Sequence, residues 1–198
     1  MPAMSALPSI QEVVASPSTV LATLAKELDS FDHAKRLAWI RALSGRDQAK
    51  LYEAAEGFRT VGLDYFVPAT TAPLVEVIHH GKNSLPLFSS FQKRFCRPPS
   101  GGDKELWGYN HQSMTWATGP GCFVVHSIGN EVDIDYTKLP TGKPAAWPEI
   151  RDNNRGLSRL VYATMKDRMR GVSNHVSIGR AAKKGKWLDN WFVLCRDA

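Results

Sequence analysis

The stretch EVDIDYT, residues 131–137, alternates apolar and acidic side chains without a break: Val132, Ile134 and Tyr136 against Glu131, Asp133 and Asp135. A strand sends successive side chains to opposite faces, whereas a helix would scatter them around its circumference. The run therefore predicts a strand with one apolar face and one solvent-facing acidic face. It follows CFVVHS and the short connection IGN, and together the three pieces predict a β-hairpin with a glycine-containing loop.

The same vocabulary fills the chain after Gly57, where valine, threonine and aromatic residues rise and Gly/Pro punctuation becomes dense. Strands are expected near 74–79, 88–97, 105–112, 122–127, 131–137, 172–182 and 187–195. Phe88, Phe91 and Phe95 also satisfy a helical spacing, which leaves 88–97 open to either state. In 157–170, Leu157, Leu160, Val161, Thr164, Met165 and Arg168 favour a helix, although RLVYATM would also suit the start of a strand. Before Gly57 the period is helical. Leu21, Leu24 and Leu28 begin a stripe that Phe31, Leu37, Ile40 and Leu43 continue, with breaks at DSFD and LSGRD dividing it into two or three helices. The expected architecture is α+β: these helices pack on a mostly antiparallel, strongly curved sheet or small barrel of six to eight strands. Residues 1–17, rich in Pro, Ser and Ala, form a flexible segment, 18–57 the helical region and 58–198 the β-rich region, with 18–198 one compact domain.

Composition bounds the function classes. With 43% hydrophobic and 22% charged residues in 198, the chain has enough apolar surface for a folded core, which argues against wholesale disorder. It has no apolar run long enough to span a bilayer and no basic-then-apolar leader, so no membrane partner is expected. Cys96, Cys122 and Cys195 are far apart and form no CxxC pair, which suggests a reducing, cytoplasmic setting and neither a disulfide framework nor a structural zinc site. Residues 151–198 carry eleven Lys and Arg against four acids, so essentially the whole net charge of +6 resides there.

That basic quarter contains GRAAKKGKWLDNW, residues 179–191. Five residues separate its first two glycines and Trp187 stands where a phosphate-binding loop needs Ser or Thr, so it is not a phosphate loop. Arg180, Lys183, Lys184 and Lys186 with Trp187 would suit a nucleic-acid or acidic-partner surface. The apolar strand-like runs on either side make the simpler expectation a hairpin turn with solvated lysines.

Other candidates are dispersed. His79 and His80 are adjacent and must point to opposite faces of a strand, while His111, His126 and His175 share no metal-ligand spacing. No metal site is expected, and no cofactor is indicated. The acid face of 131–135 is flat where calcium loops curve, so it is expected to be solvated. Lys93, Arg94 and Arg97 interleave with Phe91, Phe95 and Cys96. Arg94, beside apolar strand residues, either reaches water, pairs with a carboxylate or binds an anion in a cavity.

Cationic and aromatic residues on strands, without a catalytic motif, lead to the expectation of a module that binds a small, anionic ligand in an aromatic-lined cavity. Arg94, Arg97, Tyr109, His111 and His175 are its candidate contacts. The alternatives are an enzyme using His111 or His175 as acid/base or Cys96 as nucleophile, and the basic-surface binder.

Overall fold

The computed structural model of the chain describes residues 17–85, 89–112 and 119–197. The N-terminal segment up to position 16, Phe88 and Trp116 lie outside the described residues.

Eight antiparallel strands close into a barrel: β1 (Val77–Asn83), β2 (Ser90–Cys96), β3 (Leu106–His111), β4 (Cys122–Ile128), β5 (Glu131–Asp135), β6 (Met165–Gly171), β7 (Val176–Lys183) and β8 (Lys186–Arg196). Each strand pairs with the next in the chain, and β1 pairs with β8 to complete the circle, so no sheet edge is left open. The two expected hairpins are present, β4–β5 turning at Gly129 and β7–β8 at Lys184–Gly185. Lys184 and Gly185 have φ of 52° and 75°, the left-handed pair of a two-residue hairpin loop.

Strand alternation decides which side chains enter the barrel. Phe95 on β2, Leu106 on β3, Phe123 and Val125 on β4, Val132 and Ile134 on β5 and Met169 on β6 are all fully buried in one interior cluster. Glycines make room for the rings. A Cβ at Gly108 would come within 2.2 Å of Phe123, one at Gly179 within 2.4 Å of Phe192, and one at Gly81 within 2.6 Å of Phe91. A barrel this small holds those aromatics because the neighbouring strands contribute no side chain where they lie.

Three helices, α1 (Pro17–Ser30), α2 (His33–Ala42) and α3 (Gly45–Ala54), form a layer against the outer face of β7 and β8. Leu21, Leu24, Leu28, Ile40 and Leu51 pack there on Val176, Ile178, Val193 and Cys195. The breaks between helices lie at DSFD and LSGRD. Asp32 caps α2 by accepting from the Lys35 amide, and Ser44 and Asp47 cap α3 reciprocally. After α3, Gly57 adopts the left-handed φ of 64°. The short α4 (Leu63–Phe66) and its flanks plug one end of the barrel, placing Val61, Leu63, Phe66 and Val67 in the interior cluster.

The helix favoured over 157–170 is corrected. Only α5 (Ser158–Val161) is helical; after a left-handed Thr164, φ 61°, the chain runs as strand β6. Pairing on both sides overrides the local helical spacing, since β6 pairs with β7 along its whole length and with β5 over residues 166–169. The first strand also begins later than expected, after Leu74, whose φ of 61° breaks any extended run. The acid face of β5 is partnered rather than simply solvated: Glu131 and Asp133 meet Arg168, Glu131 also meets Arg170, and Asp135 meets Lys166 at 2.9 Å.

Candidate functional site

A cavity of about 290 Å³ occupies the end of the barrel opposite the α4 plug. Its walls include the rings of Phe91, Tyr136, Tyr162 and Phe192, and its rim includes Leu85, Leu160 and Val161, which reach solvent. At its base is the side chain of Lys93, 2% exposed.

The lysine arrives there because β2 alternates: Phe91, Lys93 and Phe95 share the inward face, opposite Asn110 of β3 and His79 of β1 in the register. Its ammonium spends all three donors inside the barrel. One goes to Asn110 Oδ1 at 3.0 Å, one to Asp167 Oδ2 at 3.0 Å and one to the Tyr136 hydroxyl. Tyr136 also accepts from Asn110 Nδ2 at 3.0 Å and donates to Asp167 Oδ2 at 3.2 Å, so the four side chains form one closed network. Around it stand four aromatic rings, with Nζ 4.8 Å from the centre of Phe192, 5.0 Å from Tyr136, 5.2 Å from Phe123 and 5.7 Å from Phe91. The negative ring faces favour the cation, as the carboxylate does.

Burial works against both ions. It lowers the Lys93 pKa against the pull of Asp167, and raises that of Asp167 against the pull of Lys93 and the hydrogen bond from Tyr136. Burial also raises the Tyr136 pKa well above its ordinary value, keeping the phenol protonated and able to donate. The arrangement amounts to an ion pair held in an aromatic box, with its cation facing a cavity.

Among the described residues that line the cavity, the charged ones are Lys93 and Lys183, and both are cations. Lys183 sits towards the rim and donates to Leu160 O at 2.6 Å. Asn83, Asn110, Gln112 and Asn190 add neutral polar groups.

The residues singled out in the sequence lie elsewhere. Arg94, Tyr109 and His111 do come together, but on the outer face of β2 and β3, where Arg94 registers against Tyr109 and Gln92 against His111. Arg94 is engaged by Glu76 at 3.1 Å and by Gln92 at 2.7 and 2.9 Å, and the Tyr109 ring packs edge-on against Trp147. Burial, and then Arg94, lowers the His111 pKa. Arg97 follows β2 and ties down the loop around α4 through Asp64 and the carbonyls of Val67 and Gly102. His175 lies in a separate surface depression beside Arg196, its pKa lowered by burial and by Arg36. Among the described residues, no histidine lines the barrel cavity. Cys96 is buried on the outer side of β2, where burial pushes its thiol up to about 12, the opposite of an activated nucleophile.

The basic hairpin is largely partnered. Arg180 meets Asp189 at 3.1 Å and lies over Trp191 and Trp187, while Lys184 and Lys186 remain exposed at the tip. All three cysteines are free and buried. No described helix is long and apolar enough to cross a membrane.

Sequence reasoning named Lys93 among the cations of its strand without placing it in a site, and it assigned no site role to Asn110, Tyr136 or Asp167. The signal for Lys93 was visible in its position between Phe91 and Phe95 on an alternating strand. Asp167 carried none, since it stands in a run with charges on both faces. No protein-family model matches the chain, and no curated protein matches it in sequence.

Proposed function

We propose that the chain is a small-molecule-binding module whose ligand enters the open end of the barrel with an apolar body and an anionic head. The observation that carries this reading is the lining of the cavity: aromatic walls with two lysines as its only charges among the described residues. A volume near the lower end of the roughly 300–1,000 Å³ typical of ligand pockets suits a small molecule. Asp167 stands behind Lys93, so the base of the cavity is already neutralised. An incoming carboxylate, sulfonate or phosphate oxygen therefore replaces a neutral acceptor, Asn110 Oδ1 or the Tyr136 hydroxyl, on the ammonium. That exchange favours binding because hydrogen bonds between two ions are stronger than those to neutral acceptors. Lys183 adds attraction at the rim.

Native mass spectrometry of freshly purified protein, followed by titration with anilinonaphthalene sulfonate as an anionic aromatic probe, tests the reading. The expected result is one probe per chain, with affinity reduced about tenfold by Lys183→Glu and unchanged by Lys184→Glu at the hairpin tip. Three results would each overturn it: an apo mass throughout with no saturable probe binding, no weakening by Lys183→Glu, or equal weakening by the two reversals.

A further inference from the structure

On the outer face of the barrel at β1, three side chains distant in sequence converge. His33 opens α2, His80 lies on the outward face of β1, and Asp197 follows β8. The Asp197 carboxylate sits between the two imidazoles, 2.9 Å from His33 Nε2 through one oxygen and 3.6 Å from His80 Nε2 through the other. The three ligand atoms all lie within 4.8 Å of one another, and the two rings are tilted, with centres 5.4 Å apart.

We propose that His33, His80 and Asp197 bind a late first-row divalent metal ion, with Zn²⁺ the representative member. Two neutral imidazoles and a carboxylate are a donor set that suits zinc and its neighbours, which take nitrogen at about 2.0–2.1 Å and oxygen at about 2.0–2.2 Å. Ligand atoms already gathered around one point need only small side-chain rotations to reach those distances. In each histidine Nε2 faces the carboxylate, and Nδ1 faces another group: Cys195 Sγ at 3.9 Å from His33, and the Gln92 side-chain amide at 3.5 Å from His80. Nε2 is the nitrogen placed to ligate in each ring; because Gln92 Oε1 accepts from Arg94, the Gln92 amide N–H points at His80 Nδ1, and metal binding requires that amide to turn aside so that the ring keeps its proton on Nδ1.

The backbone supports the set. Asp32 caps α2 immediately before His33, His80 pairs with both Gln92 and Cys195, and the Asp197 amide donates to Ile78 O at 2.9 Å. The nearby guanidiniums are turned onto carbonyls, Arg36 onto Phe31 O and Arg196 onto Tyr65 O and Asn174 O, rather than onto the carboxylate. Three protein ligands leave at least one coordination position for water or a small anion. A bound ion would join the helical layer, the first strand and the end of the last strand, locking the β1–β8 seam at which the barrel closes.

The test uses the full chain without an affinity tag, since added histidines would bind metal themselves. Isothermal titration with Zn²⁺ near neutral pH is expected to show one ion per chain, and Co²⁺ to give visible absorption of a nitrogen- and oxygen-ligated site. His80→Ala and Asp197→Asn should each weaken binding by about tenfold or more, while far-ultraviolet circular dichroism stays unchanged. Zn²⁺ should raise the melting temperature of the wild-type chain and not that of Asp197→Asn. No saturable binding at one ion per chain would overturn the proposal, and so would binding that both substitutions leave intact.

Discussion

Lys93 sits where an ammonium is costly. Taking an ion pair out of water forfeits several kcal/mol of hydration per ion, and mutual attraction restores it only when every remaining donor and acceptor is satisfied. Here the three donors of the ammonium are taken up by Asp167, Asn110 and the Tyr136 hydroxyl, and Tyr136 also donates to Asp167 Oδ2. Removing one partner should therefore be far worse than removing both. Lys93→Met, which leaves Asp167 buried without its cation, is expected to lower stability by about 3–5 kcal/mol. Lys93→Met combined with Asp167→Leu should recover most of that loss. Urea denaturation midpoints of the two single variants and the double variant give the coupling directly, and additive losses would show that the pair does not act as a unit. Lys93 was legible as a cation on an apolar strand; its partners, 17 and 74 residues away, were not.

Among the elements, the strands make room for interior rings at places where side chains are missing. Gly179 on β7 lies under the ring of Phe192 and beside Met169 Sδ, with a Cβ there reaching 2.4 and 2.6 Å. Phe192 also lines the cavity. Gly179→Val is expected to cost about 1–3 kcal/mol by overpacking, and to weaken probe binding by displacing that ring. Thermal melts and the sulfonate titration measure the two effects, and a variant with wild-type melting would show that the strand absorbs the added methyls without moving the ring. The hairpins β4–β5 and β7–β8 were readable because alternation and turn residues agree locally. Strand β6 was not: MKDRMRG sends Asp167 inward and Lys166, Arg168 and Arg170 outward, so neither face looks apolar. Its outward cations are matched by the acids of β5, which pairing brings alongside, and Arg170 also by Glu56.

For the whole molecule, barrel closure brings a histidine into the interior and makes the fold sensitive to acid. His79 is fully buried, pairs through Nε2 with Phe66 O at 2.9 Å and packs on Phe66 and Phe95. Burial lowers its pKa to about 3 against the hydrogen bond that Nε2–H donates to Phe66 O, and the charges of Arg196 and His80 lower it further. The unfolded chain takes up a proton there near pH 6.5, while the folded chain stays neutral down to about pH 3. Stability is therefore expected to fall as pH drops through this window, by up to about 1.4 kcal/mol per unit. His111, His126 and His175, whose pKa values burial also lowers, act in the same sense. Guanidinium unfolding at several pH values should show the slope, and His79→Leu should flatten it; an unchanged slope would place the acid sensitivity elsewhere. What the sequence determined by itself was local: helices before Gly57, strands after it, two hairpins, and an α+β chain with a curved sheet or small barrel, because period, caps and turn residues act over a few neighbours. Only the tertiary structure decided that the sheet closes, which alternate face becomes the interior, and that Lys93, Asn110, Tyr136 and Asp167 meet inside it while Arg94, Tyr109 and His111 stay outside. Those outcomes depend on strand register and on pairing between residues far apart in the chain, where a shift of one position exchanges the two faces.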